Sequence, residues 1–238
     1  MRRYLLVDDN LEFAENLAEI LADDGAECTV VAGGPQALQE ARSTRFDAVV
    51  TDMRMPVMSG AKLVHEIRAI DPGLPAIVVS AYTGEDDLTA ARKEGLLAVL
   101  SKPVPIPRLR ELLRGARRSA LVAVVEDDPA LADNLAEALR DRGFSSVMAH
   151  SVAETVRLDE VKPFAALVDI RVKGGPDGEA LRTLLRRIPG LPVLAMTAFR
   201  DTREFASAMP IFEKPFATAQ VLQAIEELHG ARNSHLRS

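Results

Sequence analysis

The chain has 238 residues, of which 47% are hydrophobic and only 4% aromatic, and it carries a formal net charge of -6. This length suits one large or two small domains with an aliphatic core, and the negative charge argues against nucleic acid as the main partner. No apolar run reaches the length of a secretory signal or a membrane-spanning helix, and the single cysteine, Cys28, excludes an intrachain disulfide. We therefore expect a soluble protein of the reducing cytoplasm.

Apolar runs and amphipathic segments alternate along the first half of the chain. Strands are predicted near residues 3–7, 27–31, 46–51, 76–80 and 97–100. Helices are predicted near residues 10–23, 35–43, 59–70, 85–94 and 106–117. Strands and helices that alternate with short connections favour parallel strands and right-handed crossovers, and hence a doubly wound α/β sheet with helices on both faces.

The second half of the chain repeats the first with a period of about 118 residues. Leu6-Val7-Asp8-Asp9 returns as Val124-Val125-Glu126-Asp127, and Lys102-Pro103 returns as Lys214-Pro215. This period is too long for a solenoid repeat. The sequence therefore predicts two copies of one domain, at residues 1–118 and 119–238, with the last helix of the first copy leading almost directly into the second copy.

Charged and hydroxyl side chains stand where the predicted strands of the first copy end. They are Asp8, Asp9, Asp52, Ser80 and Lys102. The carboxyl ends of parallel strands lie along one edge of such a sheet, where ligands bind. Clustered carboxylates repel one another unless a cation neutralises them, and a few hard oxygen ligands completed by water suit Mg²⁺. Lys102 adds positive charge and Ser80 a hydroxyl, which leaves Asp52 as the candidate nucleophile for phosphoryl transfer; a plain turn-forming role for Asp52 is the alternative.

These motifs and their spacing resemble the receiver domain of two-component response regulators. The spacing is 43 residues from Asp9 to Asp52, then 28 to Ser80 and 22 to Lys102, which Pro103 follows. The resemblance covers essentially all of residues 1–118. It implies that each copy is a flavodoxin-like (βα)5 domain with a parallel five-stranded sheet of order 2-1-3-4-5.

The resemblance also implies a role for each side chain of the first copy. Asp52 would accept a phosphoryl group from a histidine kinase, and Ser80 and Lys102 would bind that group. The implied Mg²⁺ ligands are Asp9, Asp52 and the backbone carbonyl of Arg54, with Asp8 acting through water. A cis peptide bond before Pro103 is also implied.

The second copy keeps this chemistry with several departures. Its corresponding residues are Glu126, Asp127, Asp169, Arg171, Thr197 and Lys214. Thr197 and Lys214 are 17 residues apart instead of 22, which predicts a fourth helix shortened by about five residues. Lys173 stands where the first copy has Pro56. We expect Asp169 to accept phosphate as well, with a docking or dimerisation module that is not phosphorylated as the alternative.

Aromatic and histidine side chains raise further questions. Val99 and Ile211 stand three residues before the two lysines, where receivers commonly carry Tyr or Phe. Tyr82 and Phe199 follow the hydroxyl residues by two positions, and they either shield an acyl phosphate from water or cover the sheet edge. Surface positions are expected for the four histidines, which are His65, His150, His229 and His235.

The expected function is a signalling protein and not an enzyme. It would receive phosphate from a histidine kinase or phosphotransfer protein and act on a downstream protein target, with homodimerisation as an option and without nucleic-acid binding or membrane insertion. A Mg²⁺-dependent phosphatase or phosphotransferase is disfavoured because such enzymes usually carry a D-x-D pair after the first strand, where this chain has Asp8-Asp9-Asn10. The remaining alternative is the receiver part of a longer protein with an output domain.

Overall fold

The computed structural model describes residues 1–81, 94–198 and 209–235. The chain divides into two compact units, Met1–Ser119 with Gly143–Ser145, and Ala120–Arg142 with Ser146–Ser238. Each unit contains one five-stranded sheet. Among the helices of the described residues, none combines the length and the apolar composition that crossing a membrane requires.

The first sheet has the strand order β2-β1-β3-β4-β5. Its strands are β1 (Arg3–Val7), β2 (Glu27–Val31), β3 (Ala48–Asp52), β4 (Ala76–Ser80) and β5 (Ala98–Ser101), and all four pairings are parallel. The helices are Leu11–Ala22, Gly34–Ser43, Gly60–Ile70 and Ile106–Gly115. The predicted doubly wound sheet of order 2-1-3-4-5 is therefore confirmed. The helix predicted near 85–94 falls outside the described residues except at Glu94.

Alternating side chains of the central strands supply both halves of the first core. On one face Val50 and Val79 pack with Leu17 of the first helix and with Leu109. On the other face Val49 packs with the helix Gly60–Ile70. Successive side chains of a strand point to opposite faces, so a strand covered by helices on both faces must be apolar throughout. This is why β3 begins with the apolar run Ala48 to Val50, which buried Thr51 separates from Asp52.

The second sheet has the order β10-β9-β8-β6-β7, which within the domain is again 2-1-3-4-5. Its strands are β6 (Leu121–Val125), β7 (Ser145–Ala149), β8 (Ala165–Asp169), β9 (Val193–Thr197) and β10 (Ile211–Glu213). Its helices are Pro129–Asp141, Val152–Thr155, Glu179–Arg187 and Thr218–His235. The second helix is a single turn, much shorter than Gly34–Ser43 in the first domain. The predicted shortening of the fourth helix falls on residues 199–208, which lie outside the described part of the chain.

Candidate functional site

The site of the first domain is built around the ammonium group of Lys102. Its Nζ lies 2.8 Å from Oδ2 of Asp8 and 2.6 Å from Oδ1 of Asp52. Both carboxylates are buried, with Asp8 4% and Asp52 7% exposed. Burial opposes ionisation of Lys102, but its hydrogen bonds to Asp52 and Asp8 prevail and raise the pKa of the ammonium group above its usual value. The lysine is therefore protonated, and its single positive charge is the counter-charge for both carboxylates.

Parallel pairing of the strands brings these side chains together. Val7 pairs with Thr51, so the residues that follow, Asp8 and Asp52, emerge side by side from β1 and β3. The backbone N–H of Arg54 donates to Oδ2 of Asp52 at 2.6 Å and orients the carboxylate. Lys102 is the residue after β5, and the Lys102–Pro103 bond is cis, as the resemblance implied.

The remaining predicted residues of the first domain lie at the same edge with different exposure. Ser80 ends β4 and is buried, and its backbone oxygen accepts a hydrogen bond from the Lys102 backbone N–H at 2.8 Å. Asp9 and Arg54 are exposed. In the described part of this domain, no three carboxylates approach one another within 4.8 Å. The metal roles of Asp8, Asp9, Asp52 and Arg54 stay predictions.

The second domain repeats the arrangement with Lys214 at its centre. Nζ of Lys214 lies 2.6 Å from Oε2 of Glu126 and 2.6 Å from Oδ2 of Asp169. The backbone N–H of Arg171 donates to Oδ1 of Asp169 at 2.9 Å, as Arg54 does for Asp52. Thr197 ends β9 and is buried, and the Lys214–Pro215 bond is cis. Hydrogen bonds to Asp169 and Glu126 outweigh burial and raise the pKa of Lys214.

Three carboxylates meet in the second domain. Oxygens of Glu126, Asp127 and Asp169 all lie within 4.8 Å of one another. Burial of Glu126 raises its pKa, and the nearby charge of Asp169 raises it further, while Lys214 partly opposes both effects. The sequence predicted a cluster of carboxylates at this edge of the sheet, and the ammonium group of Lys214 contacts two of the three, Glu126 and Asp169.

The structure corrects one prediction about the histidines. The expected surface position is wrong for His229, which is 7% exposed and packs edge-on against Phe164 with ring centroids 5.3 Å apart. His229 continues the helical spacing of buried Val221 and Ile225, a signal that could have placed it in the core. His150 is only half-buried, and its Nδ1 lies 2.9 Å from the backbone oxygen of Glu126.

One aromatic contact of the site was not predicted. The ring centroid of Phe13 lies 4.7 Å from Nζ of Lys102. Sequence spacing gave no indication of this contact, because Phe13 and Lys102 are far apart in the chain. Tyr82 and Phe199, for which a shielding role was considered, lie outside the described residues.

The loop after Asp52 contains a strained residue. Val57 has φ of 71° and is 91% exposed. A β-branched side chain in the left-handed region is a backbone outlier that costs about 1–3 kcal/mol, and no burial of this side chain compensates for it.

Replacing Val57 with glycine is therefore expected to raise the stability of the first domain by about 1 kcal/mol, since the relief of strain exceeds the added entropy of the unfolded chain. Denaturant unfolding followed by tyrosine fluorescence measures this domain alone, because both tyrosines of the chain, Tyr4 and Tyr82, belong to it. Val57→Ala is the matched control, which keeps a Cβ atom and should gain less. A lower unfolding midpoint for Val57→Gly would contradict the assignment of strain.

A doubly wound sheet whose strand ends place a lysine between two buried carboxylates is the architecture of a receiver domain, and here it occurs twice. The response regulator receiver domain family matches residues 4–114 and again residues 122–226. The chain therefore belongs to this family of two-component signalling proteins, with two of its domains in tandem.

Curated relatives agree with this assignment. A response regulator receiver protein of Anaeromyxobacter sp. (strain Fw109-5) is 59% identical over 232 residues, which cover 98% of this chain and 97% of that protein. The transcriptional regulatory protein PrrA of Mycobacterium leprae (strain TN) is 37% identical over 122 residues, 50% of this chain and 52% of PrrA. The transcriptional regulatory protein ZraR of Escherichia coli (strain K12) is 33% identical over 112 residues, 47% of this chain but only 25% of ZraR. The chain thus spans about half or less of these two regulators.

Solved structures of similar proteins match one domain at a time. The receiver domain of the sensor histidine kinase PA1611 from Pseudomonas aeruginosa PAO1, which has a magnesium ion coordinated in its active site cleft, is 31% identical with a TM-score of 0.45. The match covers 48% of this chain and 94% of that domain.

Proposed function

We propose that the protein is a response regulator of a phosphorelay that accepts a phosphoryl group on Asp52, and also on Asp169, from a histidine kinase or a phosphotransfer protein. The observation that carries the proposal is common to both domains. In each, a lysine Nζ lies within 2.8 Å of two buried carboxylates at the carboxyl ends of neighbouring strands. Membership of the receiver family supports the same conclusion.

The residues of the first domain can perform the transfer as follows. An oxygen of the Asp52 carboxylate attacks phosphorus while the bond from phosphorus to the donor's imidazole nitrogen breaks. The imidazole keeps the electron pair and takes up a proton, and Asp52 becomes an acyl phosphate. Lys102 neutralises charge on the phosphoryl oxygens, and the Ser80 hydroxyl donates a hydrogen bond to one of them. Lys214 and Thr197 do the same for Asp169.

The carboxylates of both sites fit a Mg²⁺ ion. The oxygens of Glu126, Asp127 and Asp169 are already close enough to share one cation, and the backbone carbonyl of Arg171 is the fourth protein ligand of this proposal. The corresponding ligands in the first domain are Asp9, Asp52 and the carbonyl of Arg54, with Asp8 acting through water. Hard oxygen ligands in small number, completed by water, are the preference of Mg²⁺. When bound, the ion neutralises the carboxylates and the incoming phosphoryl oxygens.

The phosphorylated protein acts in this proposal by altered contacts with a downstream protein target, and not as an enzyme. A phosphoryl group brings about two negative charges beside Lys102 or Lys214, which changes the surface that a partner meets. Homodimerisation is one form that such a contact can take. Direct nucleic-acid binding and membrane insertion have no part in the proposal, and the proposed setting is the cytoplasm.

Incubation with acetyl phosphate and Mg²⁺, followed by intact mass measurement, counts the acceptors. The wild type should gain two phosphoryl groups, and Asp52→Ala and Asp169→Ala one each. The double variant is the control for labelling elsewhere and should gain none, as should the wild type after chelation of Mg²⁺. Labelling that persists in the double variant would refute the proposal. So would a wild type that is labelled neither by acetyl phosphate nor by phosphoramidate as a second phosphoryl donor.

A further inference from the structure

Among the described residues, the ammonium group of Lys102 contacts two carboxylates and one aromatic ring. Two neighbours are the carboxylates of Asp52 and Asp8, at 2.6 Å and 2.8 Å. The third is the ring of Phe13, whose centroid is 4.7 Å from Nζ. An ammonium group within about 6 Å of a ring centroid is attracted by the negative face of the ring. The side chain of Lys102 is only 24% exposed, and such an attraction is stronger where the charge is partly withdrawn from water.

The position of Phe13 is fixed by the start of its helix. The side chain of Asn10 caps the helix Leu11–Ala22 and accepts a hydrogen bond from the backbone N–H of Phe13 at 3.1 Å. One residue later, buried Ala14 begins the face of the helix that packs on the sheet. The half-buried ring thereby borders a small cavity that Asp8 and Asp52 also line. The backbone aims this side chain at the site before any phosphoryl group arrives.

The second domain provides a natural comparison within the same chain. The residue 118 positions after Phe13 is Leu131, which is also half-buried at the start of its helix. Lys214 has the same two carboxylate contacts as Lys102. Among the described residues, however, the aromatic–cation contacts of the structure involve Lys102 and Arg117 but not Lys214. Within the described ranges, an aromatic ring therefore lies beside the lysine of the first site and not beside that of the second.

We propose that Phe13 is a positioning residue for phosphorylation of Asp52 and that Leu131 in its place makes Asp169 the slower acceptor. This inference rests on the proposed phosphoacceptor function. During transfer the ammonium group must release part of its contact with the carboxylates in order to meet the phosphoryl oxygens. The ring holds the ammonium group over the site during this exchange, whereas a leucine offers no attraction to the charge.

The test isolates each acceptor in turn and measures its initial rate of labelling by acetyl phosphate with Mg²⁺. In an Asp169→Ala background, Phe13→Leu should slow labelling of Asp52 about three- to tenfold, while Phe13→Tyr should stay close to the wild type. In an Asp52→Ala background, Leu131→Phe should speed labelling of Asp169 by a similar factor. If neither Phe13→Leu nor Leu131→Phe changes the labelling rate, the proposal is overturned.

A fluorination series separates the attraction from packing. Replacing Phe13 by its 4-fluoro, 3,5-difluoro and pentafluoro analogues withdraws charge from the ring face with little change in size. The rate for Asp52 should fall stepwise along the series, while thermal unfolding stays nearly constant. A labelling rate that does not change along the series would show that the ring only fills space. The fluorinated variants also keep the test decisive if Phe13→Leu folds poorly.

A measurement without metal or phosphate separates failure of this inference from failure of the proposed function. In the metal-free protein, the ring current of Phe13 should move the Cε-attached proton signals of Lys102 upfield, and Phe13→Leu should remove that shift. An absent shift overturns the positioning role even if Asp52 is labelled normally. A shift that is present while neither acceptor is labelled overturns the phosphoacceptor function and with it the proposed role of Phe13.

Discussion

Replacing Lys102 with methionine is expected to lower the free energy of unfolding of the first domain by about 3 kcal/mol in the absence of divalent cations. Asp8 and Asp52 are 4% and 7% exposed, and Lys102 contacts both. Methionine keeps the length of the side chain but leaves two buried carboxylates facing each other without a counter-charge. The same change should slow labelling of Asp52 by acetyl phosphate about 100-fold, because the ammonium group that meets the phosphoryl oxygens is gone.

Two measurements show whether charge is the cause. Mg²⁺ should stabilise Lys102→Met more than the wild type, since a cation that binds the folded carboxylates replaces the missing charge. Adding Asp52→Asn to Lys102→Met should restore part of the lost stability, which a double-mutant cycle quantifies. Tyrosine fluorescence reports the unfolding of this domain. A loss of stability that neither Mg²⁺ nor Asp52→Asn reduces would indicate lost packing and would contradict the electrostatic explanation.

Replacing Arg68 with methionine is expected to destabilise the first domain by a similar amount, about 3 kcal/mol. Arg68 is 5% exposed, and its guanidinium group donates hydrogen bonds to the backbone carbonyls of Glu94 at 2.5 Å, Pro72 at 3.1 Å and Gly95. Burial lowers the pKa of Arg68 to about 10, so the group is still charged at neutral pH. Arg68 thus joins the helix Gly60–Ile70 to the segment that leads into β5. Its removal would leave buried carbonyl groups without donors.

The second domain supplies the control for Arg68. The corresponding residue, 117 positions later, is Leu185, which is 37% exposed. Leu185→Ala should cost less than about 1 kcal/mol, because little apolar surface is lost. Arg68→Lys should recover only part of the stability in the first domain, since one ammonium group cannot match the fixed fork of a guanidinium. Equal losses for Arg68→Met and Leu185→Ala would refute a bridging role for Arg68.

The strands near the site were predicted well because their pattern is local. The run that leads to Asp52 is apolar from Ala48 to Val50, and the structure buries all of β3. Its start was placed two residues too early, at Phe46, because Phe46 is buried just before the strand and contributes to the same core. Hydrophobicity reports burial and not backbone pairing, so it locates a strand better than it locates the end of one.

The side-chain contacts within the site were much less predictable. Sequence spacing brought Asp8, Asp9 and Asp52 to one edge, but it did not show that Lys102 lies between Asp8 and Asp52 while Asp9 faces solvent. Asp8 and Asp9 both follow the end of β1, yet Asp8 is buried and Asp9 is exposed. Such contacts follow from strand register and rotamer, which depend on segments distant in the chain.

The sequence by itself determined the duplication, the alternation of strands and helices, and the residues at the strand ends, because each of these is a pattern of neighbouring residues or of fixed spacing. Only the tertiary structure decided that Phe13 covers Lys102 and that His229 lies in the core against Phe164. The physical reason is that these contacts join elements far apart in the chain. Their geometry is set by how helices pack on the completed sheet, and no local pattern encodes that packing.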